Sequence, residues 1–231
     1  FLPQLSEPRR FERVRVQACL ALFLVGYVKK ACIADHLAPQ ADAVFASPSA
    51  YGTGDAWLGT LLYHVQMYWD FSGYSDMAIA SAGLLGYALP LNFDFPYFAR
   101  NVPEFWRRWH ISLSTWLRDY LYISLGGSRG SLPRTVVNLY VTFGLCGLWH
   151  GAAWNFVVFG LVHATYCVIH ALWRRGVRED SLPGRIAGRL GVPLTNLAFM
   201  LSLVIFRAED WDRCGAMFGR LLGLGREAPA A

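Results

Sequence analysis

Leu145-Cys-Gly-Leu-Trp-His-Gly-Ala-Ala-Trp-Asn-Phe-Val-Val-Phe-Gly-Leu-Val-His163 is almost wholly apolar, yet it carries His150 and Asn155 and ends on His163. It is the centre of a longer apolar run from Thr135 to Trp173. That run is too long for one membrane crossing, which needs about 20 residues, and about right for two. Arg134 precedes it and Arg174, Arg175 and Arg178 follow. Basic flanks at both ends predict a hairpin whose ends share the cytoplasmic side. Sixteen residues separate Arg134 from His150, about 24 Å of continuous helix. His150 is therefore expected deep in the far leaflet, near the bend. Gly144, Gly147 and Gly151 around it are small residues that let helices approach closely. An ionisable side chain in such a setting is costly to place and marks a functional site by default.

Working outward, the composition agrees with a membrane protein. Of 231 residues, 55% are hydrophobic and only 16% charged, against about 25% charged in ordinary globular domains. The mean hydropathy is +0.30. Nine Trp suit membrane interfaces. The net charge of +5 is carried mainly by Arg that flanks apolar runs. This pattern favours anchoring to lipid headgroups and argues against nucleic acid as a partner. The five Cys are scattered without a CxxC pair, and indicate neither a disulfide framework nor a zinc site. The chain starts at Phe1 without a signal-peptide pattern, and is expected to be the C-terminal part of a longer protein.

Phe1 to Arg15 reads as a polar, basic lead-in. Val16 to Val28 is a short apolar run that Ala31–Ala34 could extend, and Asp35 to Asp55, with Pro39, Pro48, Gly52 and Gly54, reads as a loop. Trp57 to Tyr68 and Met77 to Leu89 read as two apolar helices about a break at Gly73, the second stopped by Pro90. Asp70 and Asp76 beside that break either cap it or handle substrate or protons. Asn101, Pro103 and Glu104 resemble a capping box opening a helix that continues to about Tyr122. On that helix Trp109, Leu113, Trp116, Leu117 and Tyr120 form an apolar stripe, and Arg107, His110, Ser114 and Arg118 a polar one. His110 is either a solvated histidine or a second site residue. Gly126–Gly130 reads as a turn or a phosphate cradle, without the pattern of an NTPase loop. Arg174 to Arg189 reads as a basic loop, Val192 to Phe206 as a last apolar helix, Arg207 to Arg226 as an amphipathic tail and Glu227 to Ala231 as disordered.

Two of the six His would have to sit at i, i+4 on one helix to hold a metal in the usual way, and none does. A Ser-His-Asp triad is also unsupported. What remains for His150 is direct general-base chemistry, or a plain hydrogen bond between helices.

Tyr68-Trp-Asp-Phe-Ser-Gly-Tyr-Ser-Asp-Met-Ala78, Phe105-Trp-Arg-Arg-Trp-His-Ile-Ser-Leu-Ser114, Trp116-Leu-Arg-Asp-Tyr-Leu-Tyr122 and Leu148-Trp-His-Gly-Ala-Ala-Trp-Asn155 resemble the membrane-bound O-acyltransferase family. Within it they look most like the bacterial branch that acetylates alginate and related cell-surface polysaccharides. The resemblance implies an all-α, polytopic membrane protein, a bundle of transmembrane and re-entrant helices around a buried tunnel, with residues 1–231 forming one such domain short of its N-terminal helices. It implies that His150 is the essential histidine and His110 a second characteristic position. His163 falls where relatives also often carry His. Arg107, Arg108 and Arg118 become candidates for the phosphates of the donor, and Asn155 for orienting His150. The resemblance further implies acetyl-CoA as acyl donor, with no bound cofactor. Its expected partners are membrane lipid, the acyl-thioester donor, and a polysaccharide or a downstream periplasmic acetyltransferase. The expected location is the bacterial inner membrane. D-alanylation of teichoic acid by the same fold, and a transporter or scaffold without acyl transfer, are the rival readings.

Overall fold

The structure is a computed structural model and describes residues 4, 6, 12, 14–178 and 180–224. Among the described residues the chain is built of helices, with no strand. The first helical rod runs from Val16 to Ala46: α1 (Val16–Tyr27), a π-helical turn (Val28–Ala34) and α2 (Asp35–Ala46). Then come α3 (Thr53–Leu84), the short helices α4 (Val102–Arg108) and α5 (Ile111–Leu117), and a π-helical turn (Arg118–Tyr122). The hairpin α6 (Leu132–His150) and α7 (Trp154–Gly176) follows, and α8 (Leu182–Arg207) and α9 (Trp211–Leu221) close the fold. Among the described residues, three segments are long and apolar enough to cross a membrane: Val16–Ala46, α7 and α8. The expected all-α membrane architecture is thus present.

The α6–α7 hairpin forms where the two apolar runs predict it, with the bend at Gly151–Ala153, but of the two expected crossings only α7 is long and apolar enough to span a membrane. Its helices meet backbone to backbone. A Cβ on Gly147 would lie 2.1 Å from the Phe156 carbonyl oxygen, and one on Gly160 would lie 2.0 Å from that of Phe143. Only glycine leaves room for this approach.

Several expectations are corrected. The stretch from Asp35 is helical as far as Ala46 despite Pro39, because Ala41, Val44 and Phe45 are buried in the core and that burial outweighs the hydrogen bond Pro removes. Gly73 does not break a helix. It lies inside the 32-residue α3, where a Cβ would sit 2.7 Å from the Gly26 carbonyl oxygen, so it marks the crossing of α1 over α3. Asp70 and Asp76 neither cap nor stand alone: Asp76 pairs with Lys29 at 2.6 Å, and Asp70 with Lys30 at 2.7 Å. The second half of α3 stops at Leu84, before Leu89. Gly86 takes φ 80°, and Tyr87 N–H reaches the Ala82 carbonyl at 2.8 Å, a glycine-terminated helix end.

The helix expected over Pro103–Tyr122 is broken at Trp109–His110, where His110 adopts φ 45°. The strain is held by the segment after α3. The Asn92 carbonyl accepts from Ile111 N–H at 2.9 Å, and Asp94 N–H donates to the Arg108 carbonyl at 3.0 Å. The single apolar stripe is lost with the helix: Trp109 and Leu117 are buried, but Trp116 and Tyr120 are exposed. The start of α4 follows the sequence. Asn101 Oδ1 accepts from Glu104 N–H at 2.9 Å, while Glu104 reaches back to Arg100 N–H at 2.9 Å. The basic loop expected to run to Arg189 ends earlier, since α8 begins at Leu182 with Pro183 in its first turn and Ser181 Oγ capping Gly184 N–H. The tail helix α9 is present. Residues 227–231, and most of the polar lead-in, lie outside the described residues.

Gly160→Ala is expected to lower stability by about 3 kcal/mol, because the added methyl has no space beside Phe143. Gly188→Ala, with nothing within 4 Å, should leave it within about 0.5 kcal/mol. Thermal unfolding of the two variants in detergent checks the contrast.

Candidate active site

His150 is the last residue of α6, delivered to the bend by the glycine-packed hairpin. Its ring meets Phe206 of α8 edge-on at 5.1 Å and Phe159 of α7 at 6.4 Å. His110 stands at the α4–α5 break. Its ring meets Phe71 of α3 at 4.7 Å and Trp149 at 6.0 Å. Both histidines line one cavity of about 50 Å³, walled by Trp106, Trp109, Phe159 and Phe206 among others. Two imidazoles from separate stretches of chain thus share one small apolar chamber.

Asn92 fixes His110. Its Oδ1 lies 3.3 Å from His110 Nδ1 and also accepts from Ser112 N–H at 3.1 Å and Ser112 Oγ at 2.9 Å. An amide oxygen only accepts, so this contact assigns the proton of a neutral His110 to Nδ1 and leaves Nε2 a lone pair.

His163 is placed behind the chamber, 1% exposed. Trp106 Nε1–H donates to its Nδ1 at 3.2 Å, and its Nε2 lies 2.9 Å from Ser202 Oγ. The Ser202 hydroxyl donates to the Phe199 carbonyl at 2.6 Å, so Nε2 carries the imidazole proton and both nitrogens are engaged. His163 therefore holds Trp106 in place rather than reaching the cavity. Asn155 is also not beside His150 as a partner. Its Nδ2 donates to the carbonyls of Phe206 at 3.4 Å and Ala208 at 3.3 Å. It pins the turn that carries Phe206 against His150.

A second cavity of about 280 Å³ lies on the far side of Trp106, which lines both. Arg107, Ser114, Arg118, Tyr122 and the buried Cys146 and Cys167 line it. Of the three arginines singled out in the sequence, Arg107 and Arg118 thus come together. Arg118 also bonds Asp119 at 2.7 Å, which holds that carboxyl below the usual carboxylate range. Arg108 is apart, paired with Glu104 at 2.7 Å.

Sequence reading passed over Asn92, Trp106 and Ser202. Trp106 sits inside one of the recognised motifs, and a lone hydroxyl at Ser202 within the apolar run 192–206 is the kind of residue that bonds between helices. Asn92 gave no signal, because its role depends on a backbone break that only the fold creates.

The family described as MBOAT, the membrane-bound O-acyltransferases, matches residues 9–206. The chain belongs to this family. It is 50% identical over 203 residues to a probable alginate O-acetylase AlgI of Azotobacter vinelandii, covering 88% of this chain and 40% of that protein. It is 47% identical to the Pseudomonas aeruginosa protein of the same name over 88% of this chain and 38% of the relative. A peptidoglycan O-acetyltransferase of Helicobacter pylori is 38% identical over 89% of this chain and 38% of its own length. The chain therefore spans about two-fifths of the length of these relatives.

Ser202→Ala strands the buried Nε2–H of His163 without an acceptor. The expected loss is about 2 kcal/mol of stability, read as a lowered thermal midpoint, and a shift in Trp fluorescence as Trp106 loses its fixed seat.

Proposed function

We propose that this chain carries the histidine site of a membrane O-acyltransferase that moves an acetyl group from a thioester donor, acetyl-CoA, to hydroxyls of an extracytoplasmic polysaccharide such as alginate. The observation that carries the reading is the shared chamber: His110 and His150, from two motifs forty residues apart in sequence, line one 50 Å³ cavity. Its size leaves room for a group of a few heavy atoms, which suits an acetyl group. Family membership and the names of the relatives support the same chemistry.

In this reading a neutral His150 is the general base. It takes the proton from the acceptor hydroxyl as that oxygen attacks the thioester carbonyl. The tetrahedral intermediate collapses with cleavage of the C–S bond, and the thiolate leaves as the thiol, taking the proton from the imidazolium. An ester and a free thiol result. His110, with its Nδ1 proton turned to Asn92, offers Nε2 as an acceptor that orients the hydroxyl. Polarising the thioester carbonyl would require a second proton on that ring. Arg107 and Arg118, in the cavity across Trp106, hold the donor's phosphates. Arg108, tied to Glu104, Asn155 and His163 act through the residues they position.

The setting is the bacterial inner membrane, crossed several times, with a polysaccharide or a periplasmic acetyltransferase receiving the acyl group. D-alanyl transfer is the weaker reading: a teichoic acid D-alanyltransferase of Streptococcus thermophilus is 32% identical over 63% of the chain.

The deciding test is polysaccharide O-acetyl content in cells carrying the full-length gene with His150→Ala, at equal membrane abundance. Loss of acetylation is expected, with the transfer rate down on the order of a thousandfold; unchanged acetylation would remove His150 from the mechanism. Arg107→Ala with Arg118→Ala should raise KM for acetyl-CoA roughly tenfold or more at nearly constant kcat. A change confined to kcat would count against the phosphate role.

A further inference from the structure

A basic concavity lies away from the histidine chamber, at the opposite end of α7. Arg174 is twenty residues beyond Trp154, about 30 Å along the helix. Here Arg174 and Arg175 from the end of α7, Arg178 just beyond it, Arg185 from the start of α8 and Arg100 from the segment before α4 line a cavity of about 710 Å³. Among the described residues, no carboxylate lines it. Arg178 is bridged to Asp180 at 2.9 Å, so the cluster is carried chiefly by Arg100, Arg175 and Arg185.

The cavity continues into an apolar one. A groove of about 300 Å³ between α7 and α8 shares Arg100, Asn101, His170, Trp173 and Ala187 with it. Its far part is lined by Ile169, Leu194 and Ala198. Ile169 and Leu194 are more than half exposed, and both helices are apolar enough to cross a membrane. The groove is held open by a tight seat: a Cβ on Gly191 would lie 2.5 Å from the Arg100 carbonyl oxygen, which fixes Arg100 against α8.

A cationic cup above an apolar groove, at the end of two membrane-spanning helices, is complementary to one kind of molecule: an amphiphile with an anionic head and a hydrocarbon tail. We propose that this site binds an anionic phospholipid, its phosphodiester among Arg100, Arg175 and Arg185 and one acyl chain along Ile169, Trp173 and Leu194. Basic pockets between membrane helices recognise such headgroups, and arginine suits phosphate oxygens through its forked donors. A zwitterionic lipid offers the same tail but cancels the head's net charge, so the site discriminates by charge. This assignment is independent of the acyl-transfer reading, since no residue of the histidine chamber takes part.

The test is native mass spectrometry of the full-length protein released from detergent after titration with dioleoyl-phosphatidylglycerol, dioleoyl-phosphatidylcholine, glycerol 3-phosphate or coenzyme A. Wild type is expected to retain phosphatidylglycerol over phosphatidylcholine by at least tenfold. R175Q/R185Q should lose most of that preference, on the order of fivefold per arginine. R129Q, on the loop outside the pocket, should keep it. Thermal midpoints in phosphatidylcholine nanodiscs report whether the double variant is folded; a single R185Q variant with about half the effect serves if it is not. Equal retention of the two lipids overturns the proposal, as does a preference that survives R175Q/R185Q. Displacement of phosphatidylglycerol by coenzyme A, or binding of glycerol 3-phosphate as tight as that of the lipid, also overturns it, because either would make the cup a site for soluble phosphates.

Discussion

The contact between glycine and backbone at the α6–α7 crossing is the constraint on which the site depends. With Gly147 against Phe156 and Gly160 against Phe143, the helices are drawn together along their length. The last turn of α6 is thereby carried to the floor of the bundle, and His150 with it. Helices immersed in hydrocarbon gain little from the hydrophobic effect when they associate, so close van der Waals approach has to hold them. A side chain at either glycine would run into the facing backbone. The same device recurs at Gly26 and Gly73, where α1 crosses α3, and at Gly191, where α8 meets Arg100.

Around that floor the chamber is walled by rings and tuned by a few hydrogen bonds. Phe105, Trp109 and Phe199 pack within 4.2–5.5 Å of one another by ring centroid. Besides the two imidazoles, the lining of the chamber among the described residues is aliphatic, aromatic or Met. The polar groups that do enter are matched: Asn92 to His110 and Ser112, Trp106 to His163, His163 to Ser202. Buried polar groups left without partners are costly in this environment, so each of these contacts fixes an orientation as well as contributing energy.

Charge is handled by pairing within the helical layer and by clustering at its edges. Lys29 and Lys30 on the π-helical turn face Asp76 and Asp70 of α3, which lets four ionisable residues sit on long apolar helices. Arg174, Arg175, Arg178 and Arg185, in contrast, gather between the C-terminal end of α7 and the start of α8, where headgroups and water are within reach. The wider turn of a π-helix re-aims successive side chains, and here it presents both lysines to one neighbouring helix.

The sequence by itself determined the composition-driven features. Apolar runs of sufficient length, bounded by Arg, specified the α6–α7 hairpin and the position of His150 at its bend. The Asn101–Glu104 pattern specified the start of α4, and the recognised motifs specified the family and the pair His110 and His150. These are local properties: period, length, capping and residue identity. Only the tertiary structure decided the rest. It kept Pro39 and Gly73 inside helices, because burial and close crossing outweigh local propensity. It broke the expected helix at His110, because Asn92 and Asp94, on the segment between α3 and α4, supply the hydrogen bonds that a break requires. It turned His163 inward onto Trp106 and Ser202, and Asn155 onto the carbonyls of Phe206 and Ala208. Each of these depends on which segment lies opposite, and that is a property of the packed chain that no window of sequence contains.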